Sequence, residues 1–218
     1  MNALGMRSKP VASARRIDLD FADQPVGDQP LVETFRLLAL QVRNALQGMR
    51  QRSILIMSPR PSDGRSLVAS SLAHALAPLG GPVVIIDADV VGAGLTLNGS
   101  TPGWPDESTF HAAVHDGDGH AFLPLISHYR VDTTHRPQLD IVNDVQRVLE
   151  EARVLHTVAI IDTPACLSSS LAFTLAAMSG AVLYVARRRV EDASVHQEIR
   201  AQLDRLGASV LGVVFNEM

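Results

Sequence analysis

The residues of this chain that could do chemistry concentrate at three places: the turn Gly64-Arg65-Ser66, the acidic pair Asp87 and Asp89, and Asp162. The turn closes the stretch ILIMSPRPSDGRSLVASSL, Ile54 to Leu72. A short apolar run is followed there by a Pro- and Gly-containing break and then by an Ala/Leu/Ser-rich segment with helical spacing. Strand, loop and helix in that order put backbone N–H groups at a helix N-terminus, where they can cradle phosphate oxygens. Pro61, Ser62, Asp63, Gly64, Arg65, Ser66 and Leu67 form the candidate cradle. Two positions depart from the usual phosphate-loop pattern: Arg65 stands where lysine is expected, and Pro59 where the first glycine falls.

The two acidic motifs each end an apolar run, PVVIID for Asp87 and HTVAIID for Asp162. Carboxylates at the C-terminal ends of parallel strands lie in the crevice where such sheets bind ligands. Asp87 and Asp89 are therefore expected beside the loop, where a metal would sit. Asp162 has the position of the aspartate that holds the water shell of Mg²⁺ in phosphate-loop enzymes.

The elements that must position these residues follow from periodicity. Residues 1–30 have no sustained pattern and read as a flexible arm; residues 31–218 read as one domain. Phe35, Leu38, Val42 and Leu46 predict an amphipathic helix from Leu31 to about Arg50. Further helices are expected at Ser66–Leu79, Gln138–Ala152, Ser168–Met178 and Glu191–Leu206, with Gly207 closing the last. Strands are expected at Ile54–Met57, Pro82–Asp87, Ala121–Ile126, His156–Ala165, Ala181–Ala186 and Ser209–Phe215. A long loop is expected at Val91–Asp106 and a helical turn at Phe110–Val114. The strands are continuously apolar rather than alternating, which predicts an α/β fold: a mostly parallel sheet with helices on both faces. Right-handed crossovers would then bring the acidic tips to one edge.

Composition narrows the class. Net charge is -4 and the isoelectric point about 6.0, so nothing argues for a nucleic-acid partner. A single cysteine, Cys166, excludes an internal disulfide and reads as a small buried thiol. No apolar run approaches membrane-spanning length, and a cytoplasmic location is expected. His111, His115, Asp116, Asp118 and His120 cluster without the glutamate of a hydrolytic zinc helix and read as a polar loop. Arg187, Arg188 and Arg189 read as a solvated run.

Taken in order, ETFRLLALQVRNAL, SPRPSDGRS, VVIIDAD, VAIIDTP and VLGVVFN make the chain resemble the bacterial tyrosine kinases of the polysaccharide-export type. These are relatives of the MinD and ParA ATPases, with a P-loop NTPase-like fold. The resemblance covers about Val32 to Asn216. It implies ATP or ADP and Mg²⁺ as ligands, with Ser66, Asp89 and Asp162 at the metal, Arg65 at the phosphates and Asp87 as candidate base. It further implies that Asn216 meets the adenine, that the helix at 31–50 mediates homo-oligomerisation, and that the partner is a membrane polysaccharide copolymerase or chain-length regulator. The family's lysine is Arg65 here, its arginine after the second motif is replaced by Val90-Val91-Gly92, and its Glu-Arg-Arg helix carries Glu33, Arg36 and Ala39. The sequence has two tyrosines, Tyr129 and Tyr184, neither in a cluster beyond the last strand, so phosphorylation of a tyrosine tail is not expected. The readings left open are a nucleotide-binding regulator with a degenerate loop, an active Mg-ATP-dependent tyrosine kinase or ATPase, and, more distantly, a positioning ATPase of the MinD type. The last would need an amphipathic membrane helix after the final strand, for which the sequence leaves no room.

Overall fold

The computed structural model describes residues 28–89, 114–115, 121–122, 126–131, 136–187 and 193–216. In chain order the elements are α1 (Asp28–Leu46), β1 (Ser53–Met57), α2 (Arg65–Gly80), β2 (Val83–Asp87), β3 (Val114–His115), β4 (Ala121–Phe122) and β5 (Ile126–Arg130). They continue with α3 (Gln138–Val154), β6 (Val158–Asp162), α4 (Leu171–Met178), β7 (Ala181–Arg187), α5 (Ala193–Arg205) and β8 (Val210–Asn216).

Six strands form one sheet in the order β5-β2-β6-β1-β7-β8, and every pairing in it is parallel. β1 and β2 are fully buried along their length, and β6 and β7 are buried but for one terminal residue each. That is why their sequences are unbroken apolar runs. Alternate strand residues face opposite layers. Ile54, Ile56, Ile85, Ile160 and Leu183 pack beneath α1 and α2, which contribute Phe35, Leu38, Val42, Leu72 and Leu76. Leu55, Ile86, Ile161 and Val182 face α3, α4 and α5, with Val145, Leu149, Leu171, Leu175, Ile199 and Leu203. The result is a three-layer α/β domain, with helices on both faces of the sheet.

Some expected boundaries move. α1 begins at Asp28, so residues 28–30 belong to the helix rather than to the arm. Pro30 is tolerated there because N–H groups in a first helical turn have no intrahelical acceptor. The same helix stops at Leu46 rather than Arg50, where Gly48 takes a φ of 83°. β6 begins at Val158, after His156 turns the chain at a φ of 55°, and ends at Asp162. α4 begins at Leu171, because Cys166–Ser168 form a turn; Ser169 Oγ accepts from the Leu171 N–H at 3.3 Å.

The strand expected at Ala121–Ile126 is a correction. β4 holds only Ala121 and Phe122 and pairs antiparallel with β3, while the strand that joins the sheet is β5, Ile126–Arg130. As an edge strand β5 leaves His128 and Arg130 exposed, so its sequence lacks the apolar run that marks the others. Val114 is in β3, not in a helical turn. The loop at Val91–Asp106, residues 110–113 of that turn, His111, Asp116, Asp118, His120, Arg188 and Arg189 lie outside the described residues. Among the described residues, no helix is long and apolar enough to cross a membrane.

Candidate functional site

Because the sheet is parallel, the C-terminal tips of its strands share one edge. Asp87 pairs in register with Asp162, and Ile56 of β1 stands on the other side of Asp162. The loop from Ser58 to Gly64 leaves β1 at this edge and enters α2 at Arg65. The acidic tips and the glycine turn are thus brought together.

The loop is held by its own side chains. Gly64 takes a left-handed φ of 98°, and Ser62 is also left-handed at 64°. Asp63 is buried, and its Oδ2 accepts from the Arg60 N–H at 2.8 Å. Pro61, Ser62 and Leu67 are exposed, and Ser66 is half-buried. Asn216, at the tip of β8, donates from Nδ2 to the Asp63 carbonyl at 2.9 Å and lies against Gly64. Asn216 thus fastens the loop, a role that the adenine expectation did not include.

Arg65 is more deeply engaged than its position suggests. Its Nε donates to the Thr163 carbonyl at 2.7 Å, and its Nη1 donates to Ser58 Oγ at 2.5 Å and to the Arg60 carbonyl at 2.7 Å. Its Nη2 pairs with the Asp89 carboxylate at 3.4 Å, both side chains being more than nine-tenths buried. The guanidinium therefore joins the loop to the tips of β2 and β6. Thr163 is fixed in turn, its hydroxyl donating to the Ile56 carbonyl at 2.8 Å.

The three aspartates differ in what they face. Asp87 accepts from the Asp89 N–H at 3.1 Å and lies 3.7 Å from Arg130 Nε. Asp89 is paired with Arg65. Asp162 is fully buried, and neither of its oxygens has a well-formed hydrogen-bond donor. Burial pushes its carboxyl up to about 7. The nearby Ser66 hydroxyl opposes that rise, Asp87 adds to it, Arg65 opposes it and Asp89 adds again.

An orphaned buried carboxylate beside a hydroxyl is a donor set that suits Mg²⁺, which prefers oxygen ligands. Among the described residues no three carboxylate, imidazole or thiol side chains converge to cage an ion by themselves. Ser66 and Asp162 fit the ion; Asp89, held by Arg65, fits it only once that pair opens.

Sequence reasoning missed Ser58, Thr163 and Arg130. Ser58 and Thr163 are polar residues directly after buried strands, a signal that was available. Arg130 was hidden in the edge strand. Cys166 is buried as expected, its N–H donating to the Ser58 carbonyl at 2.9 Å and its thiol pushed up to about 12 by burial. Tyr129 and Tyr184 are also buried. The Tyr129 hydroxyl accepts from Arg147 at 3.3 Å, and the Tyr184 hydroxyl meets His196 Nδ1 at 2.8 Å.

No family model matches the sequence. The structure is similar to the kinase domain of the Escherichia coli tyrosine kinase ETK, with a TM-score of 0.68 over 86% of this chain and 75% of that one, at 22% identity. The fold is that of the bacterial tyrosine-kinase domains. Among curated relatives, EpsB of Ralstonia nicotianae, named as a candidate tyrosine-protein kinase, is 27% identical over 204 residues, 88% of this chain. The chain spans only 26% of the length of that relative. ExoP of Rhizobium meliloti, named as a succinoglycan biosynthesis transport protein, is 41% identical over 64 residues, 29% of this chain and 8% of ExoP. The resemblance to bacterial tyrosine kinases read from the sequence therefore holds in both comparisons.

Proposed function

We propose that this chain is a nucleotide-binding regulator of bacterial exopolysaccharide or capsule synthesis and export, kinase-like in fold and degenerate in its phosphate loop. The observation that carries the reading is the convergence of Gly64, Ser66, Asp87 and Asp162 at one sheet edge, with Arg65 in the lysine position bonded to protein acceptors. Phosphoryl transfer depends almost wholly on positioned positive charge and metal. An arginine committed to Ser58, Arg60, Thr163 and Asp89 is poorly placed to follow a moving phosphoryl group. Tyr129 and Tyr184 are both buried, so neither is offered to a phosphoryl donor in this fold.

The partner in this reading is a membrane polysaccharide copolymerase or chain-length regulator met at the inner face of the membrane. α1 is the surface offered for homo-oligomerisation. It exposes Val32, Leu37 and Leu40 beside an Arg36–Glu33 ion pair of 3.3 Å.

A second reading, an active Mg-ATP-dependent tyrosine kinase or ATPase, is favoured by one feature, the unpartnered Asp162 carboxylate beside Ser66. When bound there, Mg²⁺ would neutralise developing charge on the phosphates. In that reading Ser66 and Asp162 would hold the ion and Asp87 would accept the proton of the attacking hydroxyl.

Calorimetric titration with ADP and ATP in the presence of Mg²⁺, followed by a phosphate-release assay, separates the two. Regulation predicts binding with turnover far below the roughly 1–100 s⁻¹ of working kinases. Turnover in that range would replace the regulatory reading with the catalytic one. No binding of either nucleotide at millimolar concentration would remove both.

A further inference from the structure

We propose that Arg65 is a latch on the phosphate loop: its guanidinium fastens the loop to the tips of β2 and β6, and a nucleoside diphosphate enters as those bonds open. The proposal rests on the reading of this loop as a nucleotide site.

Each of the three guanidinium nitrogens is engaged. Nε is spent on the carbonyl after β6, Nη1 on two acceptors of the loop, and Nη2 on the carboxylate after β2. A planar fork with five donors can bridge three chain segments at once; a lysine ammonium, a point charge on a flexible stem, cannot. The side chain is 6% exposed and its Asp89 partner 7%, so the pair is shielded from water. Drawing the cation towards a phosphate would leave a buried carboxylate uncompensated, which opposes the exchange.

Two further ties reinforce the closed form. The Asp63 carboxylate takes the Arg60 N–H, which in a phosphate cradle would be a donor to the ligand, and Pro61 has no N–H to offer. Asn216 holds the far end through the Asp63 carbonyl. One donor of the candidate cradle, the Arg60 N–H, is thus already taken by a protein group.

A latch couples two quantities with opposite sign. Weakening it makes the ligand-free protein less stable and nucleotide binding tighter. Lysine at position 65 would gain affinity simply as a phosphate ligand, so the deciding variant loosens the latch without changing residue 65; a plain structural tether would lose stability there with no gain in affinity.

The test uses the full chain and three proteins: wild type, Arg65→Lys and the milder Ser58→Ala, which removes one acceptor of Nη1. Mg-ADP affinity is measured by calorimetry, and thermal unfolding is followed without nucleotide. The expected result is binding about tenfold tighter in Arg65→Lys, with a lower melting temperature. Ser58→Ala is expected to move both quantities in the same directions by less. Affinity that is unchanged or weaker in Arg65→Lys or in Ser58→Ala, while wild type binds, overturns the latch and leaves the nucleotide reading standing. Binding by none of the three at millimolar Mg-ADP overturns the nucleotide reading and the latch with it.

Discussion

Substituting alanine for Gly64 tests how the loop is fastened, because the structure assigns separate causes to the damage. Gly64 has a φ of 98°, where an L residue costs roughly 1–2 kcal/mol. A Cβ there would also overlap the Asn216 amide, whose nitrogen it would clash with and whose carbon would lie 3.2 Å away. Overpacking of that kind costs about 1–3 kcal/mol. Gly64→Ala should therefore lose about 2–5 kcal/mol, or roughly 5–15 °C in melting temperature for a chain of this size. Asn216→Ala removes the clash partner but leaves the Asp63 carbonyl without its donor, which costs about 1–3 kcal/mol. In the double variant the overlap disappears while the φ strain and the orphaned carbonyl remain. Its loss should fall short of the sum of the single losses by the overpacking term, about 1–3 kcal/mol. Urea denaturation of the four proteins measures this. Additivity within about 0.5 kcal/mol would refute the claim that Asn216 is seated against Gly64.

Two further outcomes follow from buried groups. Asp162 is raised in the folded protein from 3.8 to about 7. Between those values the native state binds more protons than the unfolded one, so metal-free protein should lose stability as pH rises from about 4 to about 7, by on the order of 4 kcal/mol. Asp162→Asn should flatten that slope; urea midpoints that fall equally in both proteins would refute the assignment. Cys166, pushed up to about 12 by burial, should resist an aromatic disulfide reagent near pH 8 in native buffer and react fully in denaturant. Fast stoichiometric labelling of the native protein would contradict its placement.

Much of the fold was legible because burial on both faces writes itself directly into sequence. ILIM, VVII, VAII and AVLYVA are apolar throughout, as strands of a sheet covered on two sides are, and each is a strand. Edge strands carry a weaker signature. ISHYR was passed over in favour of the more apolar segment before it, although pairing with β2 asks only for Tyr129 to be buried deeply. The acidic tips were legible because a charged residue ending an apolar run must lie where the run meets solvent or a ligand. What could not be read was the direction in which side chains turn at that edge. Whether Arg65 reaches out to a phosphate or back to Thr163, and whether Asn216 faces a base or the loop, depends on contacts between segments distant in sequence, which no local pattern encodes.

The strand order has a consequence for how the chain is made. Ser53 of β1 pairs with Ala159 of β6, and Val83 of β2 with Val158, so the two earliest strands are separated by one that is synthesised last of the three. Until β6 leaves the ribosome, β1 and β2 have no shared neighbour, and their apolar edges are open to wrong pairing. Contacts so distant in sequence slow folding. The acidic edge is therefore assembled late, when the segment carrying Asp162 slots between strands that have been waiting for it.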